Sequence, residues 1–192
     1  MALQIINSKI PTMKKIFLTA LTLSAFWAQA QQFATRSGEV TFFSKAAVEN
    51  IEAINNQVSS VLDLEKNQFA FLVPIKAFVF EKALMQEHFN ENYMESGEFP
   101  TAKFSGSMEG IENVDLTKDG KYEVVFAGTM TLHGVSKSIS ENATILVENG
   151  KVKLMTKFNI KPADYKVEIP NSKQKNIAST IEVSVKMNYE KK

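Results

Sequence analysis

Cysteine is missing from the whole 192-residue chain. That excludes a disulfide, a thiol nucleophile and a lipid-modified cysteine, so the folded protein rests on its own core and is not a lipoprotein. Histidine occurs only twice, as His88 and His133, so any metal site built on the pair needs at least one acidic ligand as well. There is no surplus of positive charge. The whole chain carries 22 basic and 21 acidic residues, and this balance argues against nucleic acid as a partner, because phosphate binding needs a clearly basic face. No apolar run approaches the roughly 20 residues of a membrane-spanning helix. Glycine and proline, eight and five in number, are too sparse for a low-complexity linker, and no internal repeat or second domain is evident.

The first thirty residues read as an export signal. Lys14 and Lys15 precede an apolar stretch of about a dozen residues, Ile16 to Trp27, and Ala28-Gln29-Ala30 supplies the small-x-small pattern of a cleavage site. Met13 is a plausible true start, since Met1 to Thr12 adds nothing such a signal requires. Residues 1–30 are therefore expected to be a signal peptide and 31–192 one mature domain. Removing Lys9, Lys14 and Lys15 from the 22 basic residues leaves 19 against 21 acidic ones, a net charge of about −2.

The rest of the chain has mostly a period of two. Val152, Leu154, Phe158 and Ile160 share one parity, and Lys151, Lys153, Lys157 and Lys161 the other, the pattern of a strand with one dry and one wet face. Ile181, Val183, Val185, Met187 and Tyr189 alternate in the same way with Glu182, Ser184, Lys186 and Asn188. So do Ala102, Phe104, Gly106 and Met108 with Lys103, Ser105, Ser107 and Glu109, while Tyr122, Val124, Phe126, Gly128 and Met130 mark another strand. Val58, Ser60, Leu62 and Leu64 suggest an earlier one. Phe69 to Ile75 is apolar on both parities, which predicts a strand covered on its outer side too.

Turn signals separate these runs at Lys118-Asp119-Gly120, His133-Gly134 and Glu148-Asn149-Gly150. Asn-Gly is the strongest of them, because both residues accept positive φ readily. Residues 101–162 thus read as a meander of antiparallel hairpins. Two segments depart from the rule. Ala47, Val48, Ile51 and Ile54 fall at helical spacing, as do Leu84, Met85, His88 and Phe89, so short helices are predicted over 45–55 and 81–93.

About eight alternating strands close into a barrel whose interior is filled by side chains or holds one slender ligand. The inward parity collects Phe104, Met108, Phe126, Met130, Leu154, Phe158, Val183, Val185 and Met187. Periodicity leaves two readings open, a self-packed core and the lining of a pore for an apolar guest. Catalytic signals are weak. No serine stands in a Gly-x-Ser-x-Gly context, and no phosphate-binding loop surrounds Gly106-Ser107 or Ser37-Gly38. A metal-dependent enzyme would have to combine His88 and His133 with acids such as Glu87 or Glu91. Nothing at zinc-site spacing surrounds His133, so the histidines are read as structural: His133 bonded to backbone near its turn, His88 supporting packing under its helix.

Four segments in order carry a resemblance. Thr131-Leu132-His133-Gly134-Val135-Ser136-Lys137 resembles the Leu-x-Leu-His-Gly-Val-Thr-Lys signature of the YceI-like family, and it follows a similar Phe-Pro-x-Ala-x-Phe segment at Phe99 to Phe104. Glu87-His88-Phe89-Asn90 resembles that family's His-Leu segment, and Ile160 to Tyr165 sits where it has a strand end followed by Arg-x-Asp-Phe/Trp. The similarity spans Thr35 to Tyr189. Three departures stand out: Phe89-Asn90-Glu91-Asn92-Tyr93 replaces His-Leu with Asp-Phe-Phe, Lys161-Pro162 replaces Asn-Arg, and the first strand lacks the usual tryptophan.

The resemblance implies an all-β protein, an extended antiparallel barrel of lipocalin-like shape with one or two short helices, exported to the periplasm. It also implies a non-catalytic binding or carrier protein with no cofactor, whose ligand is a polyisoprenoid or isoprenoid quinone with its tail in the pore. Phe104, Met108, Phe126, Met130, Leu154, Phe158, Val183 and Val185 are then expected to meet the tail, and His88, His133 and Tyr165 the polar head at the mouth. Family members often pair, which makes a homodimer the assembly to look for. The alternative is a self-filled barrel with a structural, interaction or stress-related role.

Overall fold

The computed structural model describes residues 32–192; the expected signal peptide lies outside them. Nine strands and one short helix follow in order: β1 (Gln32–Lys45), β2 (Asn50–Asp63), β3 (Gln68–Pro74), β4 (Val79–Phe80), α1 (Ala83–His88), β5 (Thr101–Glu109), β6 (Gly120–Leu132), β7 (Val135–Glu148), β8 (Lys151–Ile160) and β9 (Ile181–Lys191). All pairings are antiparallel. Around the sheet the order is β1-β9-β8-β7-β6-β5-β3-β2, and pairing of β1 with β2 closes it into an eight-stranded barrel. The two-residue β4 adds to β2 beyond β3, where Pro74 has ended the ladder. Asn55 bridges that break. Its amide donates to the Pro74 carbonyl at 2.8 Å and its carbonyl accepts from the Gln57 N–H at 2.8 Å, so this buried side chain is satisfied on both sides.

The meander over 101–162 is as its alternation predicts. β6 and β7 pair along thirteen residue pairs from Gly120↔Val147 to Leu132↔Val135, and their two-residue turn takes positive φ at His133 (49°) and Gly134 (70°). Asn149 (50°) and Gly150 (72°) make the same kind of turn between β7 and β8. The helical reading of 81–93 holds in part. Six residues form α1, and the chain then widens into a looser turn closed by the Met94 N–H on the Phe89 carbonyl at 2.8 Å.

Two expectations fail. Residues 45–55 are not a helix: they are the β1–β2 turn and the first half of β2. Exposed apolar residues explain the misleading spacing: Val48 and Ile54 face outward, while Ile51, Ala53 and Asn55 keep one inward parity. The β1–β2 register slips on either side of Gly38, so the buried positions of β2 change parity from Ala53 and Asn55 to Val58, Ser60 and Leu62. The outer face of β3 is not covered either, since Ala70 and Leu72 are exposed while Phe69, Phe71 and Val73 point inward.

The barrel has two unlike halves. At the end formed by the start of β1, β6 and β8 and the finish of β2, β5, β7 and β9, Leu62, Met108, Ile145, Val147, Val152 and Met187 are buried against one another. Tyr189 spans this floor, its hydroxyl hydrogen-bonded to Ser60 at 2.7 Å; burial raises the phenol's pKa far above its ordinary value. At the other end the walls diverge. The β7–β8 ladder runs only from Glu148↔Lys151 to Ala143↔Thr156, while β7 continues alongside β6 and β8 alongside β9. A 3₁₀ turn at Pro162–Tyr165 follows β8 at this seam, with Tyr165 in a buried cluster that includes Met130 and Val167 and against which Val135, Ile139, Phe158 and Ile160 pack. An ion pair from Lys137 to Asp164, 3.4 Å long, ties the turn to β7.

Candidate functional site: an apolar cavity in the open half of the barrel

The open half encloses a cavity of about 480 Å³, within the range of ordinary small-molecule sites. Strand alternation determines its wall. Val40 and Phe42 come from β1, Phe71 and Val73 from β3, Phe104 from β5, Phe126 and Met130 from β6, Ala143 from β7, Leu154 and Phe158 from β8, and Val183 and Val185 from β9. Each is on the inward parity of its strand.

Eight phenylalanines form two groups around this space. Phe69 meets Phe104 and Phe126 edge-on, with centroids 4.7 Å apart in both pairs, and Phe71 stacks near Phe104 at 6.3 Å. Phe42 packs with Phe78, Phe80 and Phe89 at 5.3–5.6 Å under α1. These offset and edge-on geometries hold the rings in place. The result is a predominantly apolar, aromatic wall.

Room for the Phe69 ring comes from a pair of glycines. Gly106 and Gly128 face each other across β5 and β6, and Phe69 lies opposite Gly106 on β3. A Cβ at either glycine would overlap the other's Cα and the facing strand's carbonyl, so the two strands approach as only glycines permit.

The mouth is polar. Lys82 and Glu49 pair at 3.4 Å, joining α1 to the β1–β2 turn. The Val48 N–H donates to the Lys175 carbonyl at 3.0 Å, and the Ala178 N–H to the Ser44 hydroxyl at 2.9 Å, binding the same turn to the loop after β8. Leu84, Met85, His88 and Phe89 all face the cavity from α1 and its extension.

Of the residues singled out from the sequence, Phe104, Phe126, Met130, Leu154, Phe158, Val183, Val185 and His88 line the cavity; Met108 belongs to the packed floor, and His133 and Tyr165 lie outside the lining. His88 is exposed at the rim and does not pack beneath its helix. His133 works differently. Its Nδ1 is 3.1 Å from the Tyr165 carbonyl and its Nε2 2.8 Å from the Glu95 carboxylate, and its ring meets Phe99 edge-on at 4.5 Å. It staples the β6–β7 turn to the two segments beside it. His133→Asn keeps a residue tolerant of positive φ and removes these contacts, so it should lower unfolding free energy by about 1–3 kcal/mol in a denaturant titration. Among the described residues, no three His, Asp or Glu side chains gather as a metal site requires.

Alternation missed several lining residues. Val40 and Phe42 follow the register slip around Gly38, Ile51 and Phe89 are read only at helical spacing, and Phe78 and Phe80 come from segments too short to show a period. Glu141 was also missed, although it shares the inward parity of Ala143, Ile145 and Val147 on β7.

The family model for the YceI-like domain matches residues 26–189. The chain belongs to the YceI-like family. Solved structures similar to this YceI-like barrel include a polyisoprenoid-binding domain from Saccharophagus degradans implicated in plant cell wall breakdown, with 15% identity, a TM-score of 0.71, and coverage of 85% of this chain and 99% of that one. BcnA from Burkholderia cenocepacia matches with 12% identity, a TM-score of 0.66 and coverage of 80% and 96%. The YceI protein of Campylobacter jejuni matches with 19% identity, a TM-score of 0.61 and coverage of 76% and 88%. A search of the curated proteins found no match.

Proposed function

We propose that this YceI-like protein is an exported, periplasmic, non-catalytic carrier that holds an amphiphilic isoprenoid lipid in the open half of its barrel. The observation that carries this reading is the 480 Å³ cavity walled by Phe104, Phe126, Phe158 and their neighbours. Each methylene moved from water into such a wall contributes about 0.8 kcal/mol, so a prenyl chain gains affinity along its length. The packed floor limits how deep the tail reaches, and Lys82, Glu49 and His88 at the rim offer partners to a polar end. His133 and Tyr165, outside the wall, act by holding the mouth in shape. The polyisoprenoid-binding domain with the same fold supports the choice of lipid. For the self-filled alternative, the floor is packed in the required way, but the upper half is open.

Native mass spectrometry of protein purified from a periplasmic extract tests the proposal directly. A uniform adduct that solvent extraction identifies as a prenyl or quinone lipid supports a carrier; a bare protein from a lipid-replete extract argues for the self-filled barrel. Phe158→Glu gives a second test, since Phe158 is partly buried on the cavity wall. A carboxylate there should lower prenyl lipid affinity by about tenfold or more. A folded Phe158→Glu protein that retains lipid as well as the parent would overturn the interior site.

A further inference from the structure

One charged side chain stands on the cavity wall away from the mouth. Glu141 lies on β7 directly across from Phe126 and one inward position from Ala143. Ala143 pairs with Thr156 at the last rung of the β7–β8 ladder, and the Thr156 hydroxyl is already committed to the Asn142 carbonyl at 2.6 Å. Glu141 therefore sits at the fork where the two strands part, at the level of the deep wall residue Phe126. Among the described residues it has neither a hydrogen-bond nor an ion-pair partner. The neighbouring charge on this strand, Lys137, is engaged with Asp164.

A half-buried acid on an apolar wall is satisfied by water, which a guest must replace with a donor of its own or strip away at a cost. Burial pushes the Glu141 carboxyl above its ordinary value, and the Tyr165 phenol is raised first by its own burial, then by the charge of Asp164 and last by that of Glu141. The carboxyl is half-buried on the wall, where water still reaches it. A guest with a donor at this depth would supply a charge-assisted hydrogen bond. A guest with only acceptors there, such as an ether oxygen or a quinone carbonyl, would meet the carboxylate's lone pairs.

We propose that Glu141 is a specificity residue that accepts a hydrogen bond from a hydroxyl on the inner end of an otherwise apolar guest, so that the cavity prefers prenyl alcohols to prenyl groups lacking a donor. This rests on the carrier reading above and narrows it. It also changes the orientation of the guest, since a hydroxyl-bearing end would lie deep and the hydrocarbon would run toward the mouth.

Farnesol and farnesyl methyl ether share the same apolar body and differ in the donor. Binding of each to lipid-stripped protein at pH 8, by calorimetry, should favour farnesol by about tenfold. Glu141→Leu replaces an unpaired acid with an apolar residue of similar size, and should bring the two guests within about twofold while keeping affinity for the ether. Glu141→Gln retains an acceptor oxygen and should keep part of the preference. Equal binding of both guests by the parent, or an undiminished preference for farnesol in folded Glu141→Leu, overturns the assignment of Glu141 and leaves the carrier reading intact. Binding of neither guest by the parent overturns both.

Discussion

Gly128→Val should lower the melting temperature by roughly 6–12 °C, corresponding to about 3 kcal/mol or more for a chain of this size. The cause is backbone proximity, which differs from ordinary crowding in a core. At Gly128 the first atom of any side chain overlaps the Ser105 carbonyl and the Gly106 Cα on the neighbouring strand. Neither can rotate away, because both are main chain in the middle of the β5–β6 ladder. To admit valine the strands must separate, breaking ladder bonds and displacing the Phe69 ring that rests against this pair. Thermal unfolding monitored by circular dichroism is the measurement. A Gly128→Val protein that melts with the parent would mean that this close approach contributes nothing to the barrel.

Phe69→Ala should cost about 3–5 kcal/mol, the usual range for deleting a buried aromatic side chain. Phe69 is 4% exposed and touches Phe71, Phe104 and Phe126 at centroid distances of 4.7–5.7 Å. Its place in the barrel makes the substitution informative beyond stability. Phe69 stands behind the wall that Phe71, Phe104 and Phe126 present to the cavity, so its loss leaves those three rings without support. Collapse into the gap would limit the loss to the low end of the range; a void would give the high end. Urea titration measures the cost, and a loss under about 1 kcal/mol would show that the rings do not depend on one another.

What the sequence revealed and concealed follows from where the period of two survives. Along β8 and β9 no bulge interrupts the ladder, so Val152, Leu154, Phe158, Val183, Val185 and Met187 announce their face directly. Asn149-Gly150 marks its hairpin for an equally local reason, the cost of positive φ. Around Gly38 the opposite holds. The register slips on either side of Gly38 shift the inward phase of β2, and a buried Asn55 occupies a place where an apolar residue would have shown it. The floor and the cavity cannot be distinguished by alternation at all, because Met108 and Met130 follow the same parity on neighbouring strands. Which one packs and which one lines open space depends on the divergence of β7 from β8, a property of the assembled sheet. His133 and Tyr165 illustrate the limit of motif reading in another way. Both occupy segments that resemble the family's, yet their side chains are committed to holding loops together.

The division of the barrel into a packed floor and an open upper half separates two demands that compete in most small binding proteins. Residues below Phe126 mostly pack on one another, while several above it face open space, and one strand such as β6 passes through both regions. Exchange of a side chain whose tip ends in the cavity can therefore alter the shape of that space while leaving the packed floor intact. Such a molecule has wide freedom to drift. Barrels of this shape keep their fold at the 12–19% identity that separates this chain from the three solved structures.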